Sequence, residues 1–179
     1  MSQRKNTTTA HLRSILLLPF TVTVIIPMLL LATGKRERHA APEWLIKSCA
    51  IAGCGSIGYG LSLLIRTVRM FRRDGDGTLA PWDPTHRLVV VGIYRYVRNP
   101  MITGVALILF GEWLLTRSWR MFGWLSVFVG GNMIYIPLSE EPGLVRRFGD
   151  DYLAYRAAVP RWIPRRHPWV QDAQHEPSK

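Results

Sequence analysis

The chain is poor in cysteine, in acids and in polar surface. Its 179 residues contain two cysteines and 12 acids against 23 lysines and arginines, for a net charge of +11. Two cysteines cannot make a disulfide framework. Cys49 and Cys54 also lack the spacing of a zinc site, and we expect no metal. Five positions apart, they do not share a helix face. The chain has no internal repeat or low-complexity tract. Its basic charge comes without a nucleic-acid motif, so no nucleic-acid partner is expected. Charge is missing altogether from residues 14–33, twenty positions long, which is the length needed to cross a bilayer.

Apolar residues make up 48% of the chain, and they are gathered into runs. After 14–33 come 48–65, 101–116 and 121–138, the last two separated only by Arg117, Ser118, Trp119 and Arg120. At 1.5 Å per residue, 101–116 reaches roughly 24 Å, a short span. Residues 14–33 follow a basic start, but the apolar run is too long for a signal peptide. Gly34-Lys35-Arg36 is also a poor cleavage site, so we read a retained helix. Pro19 and Pro27 should kink it.

These runs predict an all-α integral membrane protein of about four transmembrane helices in two hairpins. A basic tail (1–13) precedes the first hairpin (14–66). The core (67–165) holds a connector, the second hairpin and a C-terminal helix, and a flexible tail (166–179) follows. With the N-terminus inside, 17 lysines and arginines fall on the inner side and five in the outer loops. That asymmetry places both termini in the cytoplasm, and we expect a bacterial inner membrane. The excess basic charge then marks topology and attraction to anionic lipid.

Gly53-Cys54-Gly55-Ser56-Ile57-Gly58 spells a dinucleotide fingerprint, with Asp74 and Asp76 near the expected distance. That fingerprint needs flanking strands, and here the acids sit in an Arg/Gly turn. Ser48, Ala52, Ser56 and Gly60 recur every four residues. They predict a small-residue stripe for close helix packing instead. Glu112, near the outer end of its span, is read as an interfacial acid within reach of Arg117 and Arg120.

The chemistry concentrates in two polar clusters that flank the second hairpin. One is Tyr94, Arg95, Tyr96, Arg98, Asn99 and Pro100, between Gly92 and Gly104. The other is Glu140-Glu141. Two adjacent carboxylates at a span terminus need a cation, arginines or solvent. As a simpler role, Ser139 would be an N-cap, with both acids favoured by the dipole of the helix they begin. Leu144, Phe148, Tyr152 and Tyr155 recur at helical spacing over 139–159, and Pro160 and Pro164 end that helix. A hairpin brings the clusters to one membrane face.

These residues resemble the membrane methyltransferases that include isoprenylcysteine carboxyl methyltransferases and phospholipid amine methyltransferases. The family's RHPxYxG loop appears as Arg98-Asn99-Pro100-Met101-Ile102-Thr103-Gly104. Its second half appears as Glu140-Glu141, Leu144, Phe148-Gly149, Tyr152, Tyr155 and Pro160-Arg161-Trp162-Ile163-Pro164. Gly77-Thr78, His86 and Gly92-Ile93-Tyr94-Arg95 match upstream, so the resemblance spans about 75–165. It implies an α-helical membrane enzyme that uses S-adenosylmethionine without a Rossmann domain. By position, the cofactor residues are His86, Arg87, Leu88, Val89, Tyr94, Arg98, Asn99, Pro100, Met101, Ile102, Glu140 and Glu141. Leu88, Val89 and Ile102 would supply an apolar slot for adenine. Arg98, Glu140 and Glu141 carry the catalytic expectation. The acceptor would be a lipophilic carboxylate, amine or thiol in contact with membrane lipid; the alternative is a non-catalytic scaffold that keeps the fold. Asn99 replaces the family's histidine and Ile102 its tyrosine. The prenylcysteine branch has an arginine before the acidic pair, whereas this chain has Tyr135 to Ser139.

Overall fold

The computed structural model describes residues 18–33, 41–74, 88 and 90–170, and the side chains of 71–74 are left aside. The described residues form helices, turns and loops, with no strand among them. The helices are α1 (Leu18–Ala32), α2 (Glu43–Asp74), α3 (Pro100–Thr116), α4 (Trp119–Tyr135) and α5 (Glu141–Ala158).

Each boundary has a local cause. Pro100 stands in the first turn of α3, where a missing N–H costs nothing. Arg117 ends α3 in the left-handed conformation (φ 52°), its N–H donating to the Trp113 carbonyl. Only Arg117 and Ser118 separate α3 from α4. In α1 a π-turn (Thr21–Ile25) lies between Pro19 and Pro27. The Thr23 hydroxyl donates to the Pro19 carbonyl at 2.7 Å. The prolines are thus absorbed by a change of helical pitch.

α2 and Trp119–Ala158 are long and apolar enough to cross a membrane, while Leu18–Ala32 and Pro100–Thr116 are shorter apolar helices. Only 17% of the apolar window is buried in either long helix, where the core helix of a water-soluble protein would be mostly buried. Ile51 (76% exposed) and Leu138 (75%) are among many large apolar side chains on the outer surface. A surface of this kind needs an apolar solvent or partner.

The most extensive helix contact is α2 against α3, rather than the α1–α2 pairing expected from 14–66; α1 packs on α4 and α3. The α2–α3 seam is built by glycine. A Cβ on Gly60 would stand 2.6 Å from the Gly104 carbonyl oxygen, and one on Gly53 would stand 2.9 Å from that of Gly111. The crossed order makes the pair antiparallel. Between these contacts the Ser56 hydroxyl donates to the Leu107 carbonyl at 2.7 Å. The stripe therefore runs through Gly53, Ser56 and Gly60, while Ser48 and Ala52 are exposed. Seven-residue spacing on both helices returns to within about 20° of the same face, whereas a four-residue step drifts by about 40°. Of the fingerprint glycines only Gly53 serves packing; Cβ atoms at Gly55 and Gly58 would meet nothing. Cys49 and Cys54 are free thiols. We expect Gly60→Leu to force α2 and α3 apart and to cost about 1–3 kcal/mol. A lowered Tm in detergent would show it, with Gly58→Leu as the neutral control.

Glu112 makes no ion pair with Arg117 or Arg120 among the described residues, and its Oε2 is buried without a hydrogen-bond partner. The Arg117 backbone forms the turn, and the Arg120 guanidinium reaches the Leu30 carbonyl of α1 at 3.4 Å.

The C-terminal part differs from the sequence expectation in two ways. No new helix starts at Ser139. The polypeptide runs from α4 through a π-turn (Ile136–Glu140) directly into α5, with no side-chain cap. Pro137 and Pro142 remove two N–H donors here, and the wider turn accommodates them. α5 bends at Gly149 (φ 53°). Second, residues 166–170, expected to be part of a flexible tail, are docked. The Arg98 N–H donates to the Pro160 carbonyl, that of Arg165 to Tyr96, and that of Trp169 to Arg95. Tyr152, Tyr155 and Val159 form a small core beneath this segment, joined by Leu88, Phe148 and Trp169. Residues 171–179 lie outside the described region.

Candidate functional site

The site begins with the connector's short 3₁₀ turn, Gly92–Arg95. Gly92 takes φ 53°, and a Cβ there would strike the Met70 sulfur at 2.5 Å. The positive φ is what favours glycine; the Met70 side chain could move aside for a Cβ. The turn sets the Tyr94 carbonyl to accept from the Tyr155 hydroxyl at 2.8 Å. It also delivers Arg98 to α5.

Arg98 is engaged with the C-terminal part through Nε and Nη1. Its Nε donates to the Val159 carbonyl at 2.9 Å. Its Nη1 donates to Glu141 Oε1 at 2.7 Å and to the Tyr152 hydroxyl at 3.4 Å. Arg161 reaches the same carboxylate oxygen through Nε at 2.9 Å. Arg156 stands 3.9 Å from the other oxygen. The side chains of Arg98 and Glu141 are only 10% and 5% exposed. A buried carboxylate between two close guanidiniums is neutralised and satisfied. Glu141 thus clamps connector, α5 and the Pro160–Pro164 loop together.

Glu140 behaves differently. It is exposed, and no cation pairs with it among the described residues. Surrounding protein removes part of its hydration, and the neighbouring Glu141 charge adds to the effect, so its pKa is raised. The site therefore has one spent carboxylate and one open carboxylate. Burial pushes the Tyr94 phenol far above its ordinary range, helped by nearby Tyr155 and Glu140. It remains a protonated donor at any physiological pH. Asn99 Nδ2 is buried without a hydrogen-bond partner, a costly vacancy unless a ligand oxygen fills it.

Beside this cluster an apolar groove runs between α3 and α4. Its first section, about 210 Å³, is lined by Ile102, Thr103, Ala106, Phe128, Asn132 and Trp162, among others. A second section of about 590 Å³ continues to Phe110 and Leu125, sharing Thr103, Ala106, Val129 and Met133 with the first. The π-turn relates groove to acids. It absorbs one extra residue, so Glu140 follows Asn132 by two helical turns, on the same face. A regular α-helix would rotate Glu140 by about 80° off that face.

Of the residues expected at the site, Arg98, Tyr94, Asn99, Pro100 and Glu141 are assembled around the connector. Ile102 lies on the groove wall, while Leu88 packs on the Tyr152–Tyr155 core, so the structure does not bring these two into one slot. Pro100 is buried and Met101 half-buried at the start of α3. His86, Arg87 and Val89 lie outside the described residues. The expected cofactor and catalytic residues did not include Arg161, Trp162 or Asn132, although the first two stood in the family motif Pro160–Pro164. Arg161 and Trp162 were signalled by the paired prolines that hold them; Asn132 had no signal beyond being a lone amide in an apolar run.

The described residues form a helical protein with an open carboxylate at the start of α5, a buried donor without a partner at the start of α3, and an apolar groove between α3 and α4. The phospholipid methyltransferase family model matches residues 49–151, and the chain belongs to that family. It is 37% identical over 79 residues to a phosphatidylethanolamine N-methyltransferase of Zygosaccharomyces rouxii, covering 43% of this chain and 9% of that protein. It is 36% identical over 84 residues to a protein-S-isoprenylcysteine O-methyltransferase of Schizosaccharomyces pombe, covering 44% of this chain and 34% of that one. The chain thus matches about a third of the length of one relative and about a tenth of the other. No solved structure matches it.

Proposed function

We propose that the protein is an S-adenosylmethionine-dependent methyltransferase that methylates a lipophilic acceptor at the cytoplasmic face of a membrane it crosses four times. The observation that carries this reading is the open Glu140 carboxylate beside the clamped Glu141, two helical turns beyond the groove residue Asn132, in a chain of this family. Both termini would be cytoplasmic, as the distribution of lysine and arginine favours.

The residues present fit the cofactor. Its cationic groups call for a carboxylate and aromatic faces, and Glu140 and Tyr94 supply them. Its carboxylate calls for donors, and Asn99 Nδ2 is a buried donor without a partner. Bound there, it would supply a methyl group on a positively charged sulfur. Glu140 draws the cation to the site. Ile102 and Trp162, on the groove wall, would keep water from a bound acceptor. An amine acceptor must shed a proton first, and the raised pKa suits Glu140 to receive it. Arg98 and Glu141 act by positioning, since Arg98 Nε and Nη1 and Glu141 Oε1 bond to each other and to the C-terminal segment.

Transfer of a radioactive methyl group from the cofactor to membrane-extract lipids tests this function. Labelled lipid is expected. Lack of both transfer and calorimetric binding of the cofactor product would support the scaffold reading. The pH dependence has a stated sign. Cofactor-product affinity should fall as acid protonates Glu140, at a pH above the ordinary carboxylate range. The raised folded-state pKa makes protonation favour the fold, with that stability lost as pH rises through the pKa. Affinity loss without a fall in Tm is the expected pattern, and Glu140→Gln should flatten it.

A further inference from the structure

We infer that Trp169 is a positioning residue for the candidate site: it holds the connector turn Gly92–Arg95, and with it Tyr94, so that docking of the C-terminal segment and binding of the cofactor favour each other. This rests on the proposed function and concerns how the same site is kept in shape. Trp169 lies beyond the residues that the family model matches, 49–151, in a stretch expected to be a flexible tail.

A single 3₁₀ turn is a weak element, and the carbonyls at its C-terminal end have no partner inside it. Here two successive carbonyls are served from the C-terminal part. That of Tyr94 accepts from the Tyr155 hydroxyl at 2.8 Å. That of Arg95 accepts from the Trp169 N–H at 2.9 Å. Arg95 Nε returns a bond to the Trp169 carbonyl at 2.7 Å, so Arg95 and Trp169 clasp each other reciprocally. The Trp169 ring completes the circuit. Its centroid stands 5.6 Å from that of Tyr155, the ring whose hydroxyl reaches Tyr94. Tyr155 also packs against Tyr152 at 6.2 Å.

Residues 94 and 95 are thus fixed at three points by groups 61 and 74 positions away along the chain. Tyr94 in turn lies close enough to Glu140 for the carboxylate charge to act on its phenol. A change at Trp169 therefore passes through Tyr155 and Arg95 to Tyr94, on the cofactor side of the site. Linkage makes the effect mutual: whatever the docked segment adds to cofactor affinity, a bound cofactor returns to the docked segment.

Hydrogen exchange read by mass spectrometry tests this on the full chain in phosphatidylcholine nanodiscs. Without cofactor product, Trp169→Ala should speed exchange of residues 91–98 by about tenfold, the size of one aromatic pair or hydrogen bond. Tyr155→Phe keeps the ring and loses the hydroxyl, and should loosen the same residues. Calorimetric affinity for the cofactor product should fall about tenfold in Trp169→Ala and return in Trp169→Phe, which restores an aromatic face to Tyr155. In the unaltered chain, the cofactor product should slow exchange of residues 165–170 several-fold. A residue that only packs would lower Tm and loosen 165–170 while leaving the affinity untouched. Unchanged exchange at 91–98 or unchanged affinity in Trp169→Ala overturns the inference, as does a product that binds without slowing 165–170. If 91–98 loosens as expected but the unaltered chain binds no cofactor product, Trp169 still holds Tyr94 and it is the methyltransferase reading that fails.

Discussion

Glu141→Ala should loosen the whole C-terminal part. The substitution leaves the Arg98 and Arg161 guanidiniums facing each other across an emptied space, with Arg98 almost fully enclosed. Breaking a buried pair by removing one partner costs roughly 3–5 kcal/mol, because the remaining charge has no solvent. The backbone bonds from Arg98 to Pro160, from Arg165 to Tyr96 and from Trp169 to Arg95 depend on that clamp. We expect a Tm lower by several degrees in detergent and faster proteolysis between 159 and 170. Methyl transfer should fail as a consequence of lost structure. Glu141→Gln keeps a hydrogen-bond acceptor and should fall between the two. An unchanged Tm in Glu141→Ala would mean that solvent reaches the arginines and that the clamp contributes little.

Glu140→Gln should give the opposite signature. The side chain is exposed and holds no ion pair among the described residues, so stability should change by less than about 0.5 kcal/mol. Removing its charge takes away the open anion two helical turns beyond the groove residue Asn132. Loss of a group that both attracts a cation and accepts a proton should lower transfer by about 10²-fold or more. Cofactor-product affinity should fall with it. Full activity in Glu140→Gln would refute the assignment of the open carboxylate. Together the two variants separate neighbours that a simultaneous change of both acids would confuse.

Adjacent glutamates look equivalent in a sequence. Here they divide because the π-turn ends between them, leaving one facing a pair of arginines and the other facing outward. The two prolines responsible, Pro137 and Pro142, were visible in the sequence, yet it was Ser139 that looked like the start of a helix. Prolines forbid particular hydrogen bonds; they do not say whether a chain stops or widens its turn. The packing seam shows the same limit. Glycines and serines in α2 announced close approach, but register is a property of two helices. Only the carbonyls of Gly104 and Gly111 fix the contact at Gly53 and Gly60. Ile102 was legible as a departure from a family tyrosine, and its place on the groove wall was not.

The sequence by itself determined the helical class, the apolar runs and the connector's Arg98-Asn99-Pro100 turn. It also supplied the acidic pair and the family resemblance. These depend on local composition and on residues close along the chain, where hydrophobic length and proline geometry act directly. The tertiary structure decided that α2 packs on α3, that Glu141 is spent on arginines while Glu140 stays open, and that residues up to Val170 close over the connector. Those outcomes depend on contacts between positions 20 to 74 residues apart, such as Glu141 with Arg161 and Arg95 with Trp169. Their energies come from desolvation and close packing, which exist only once the helices have met.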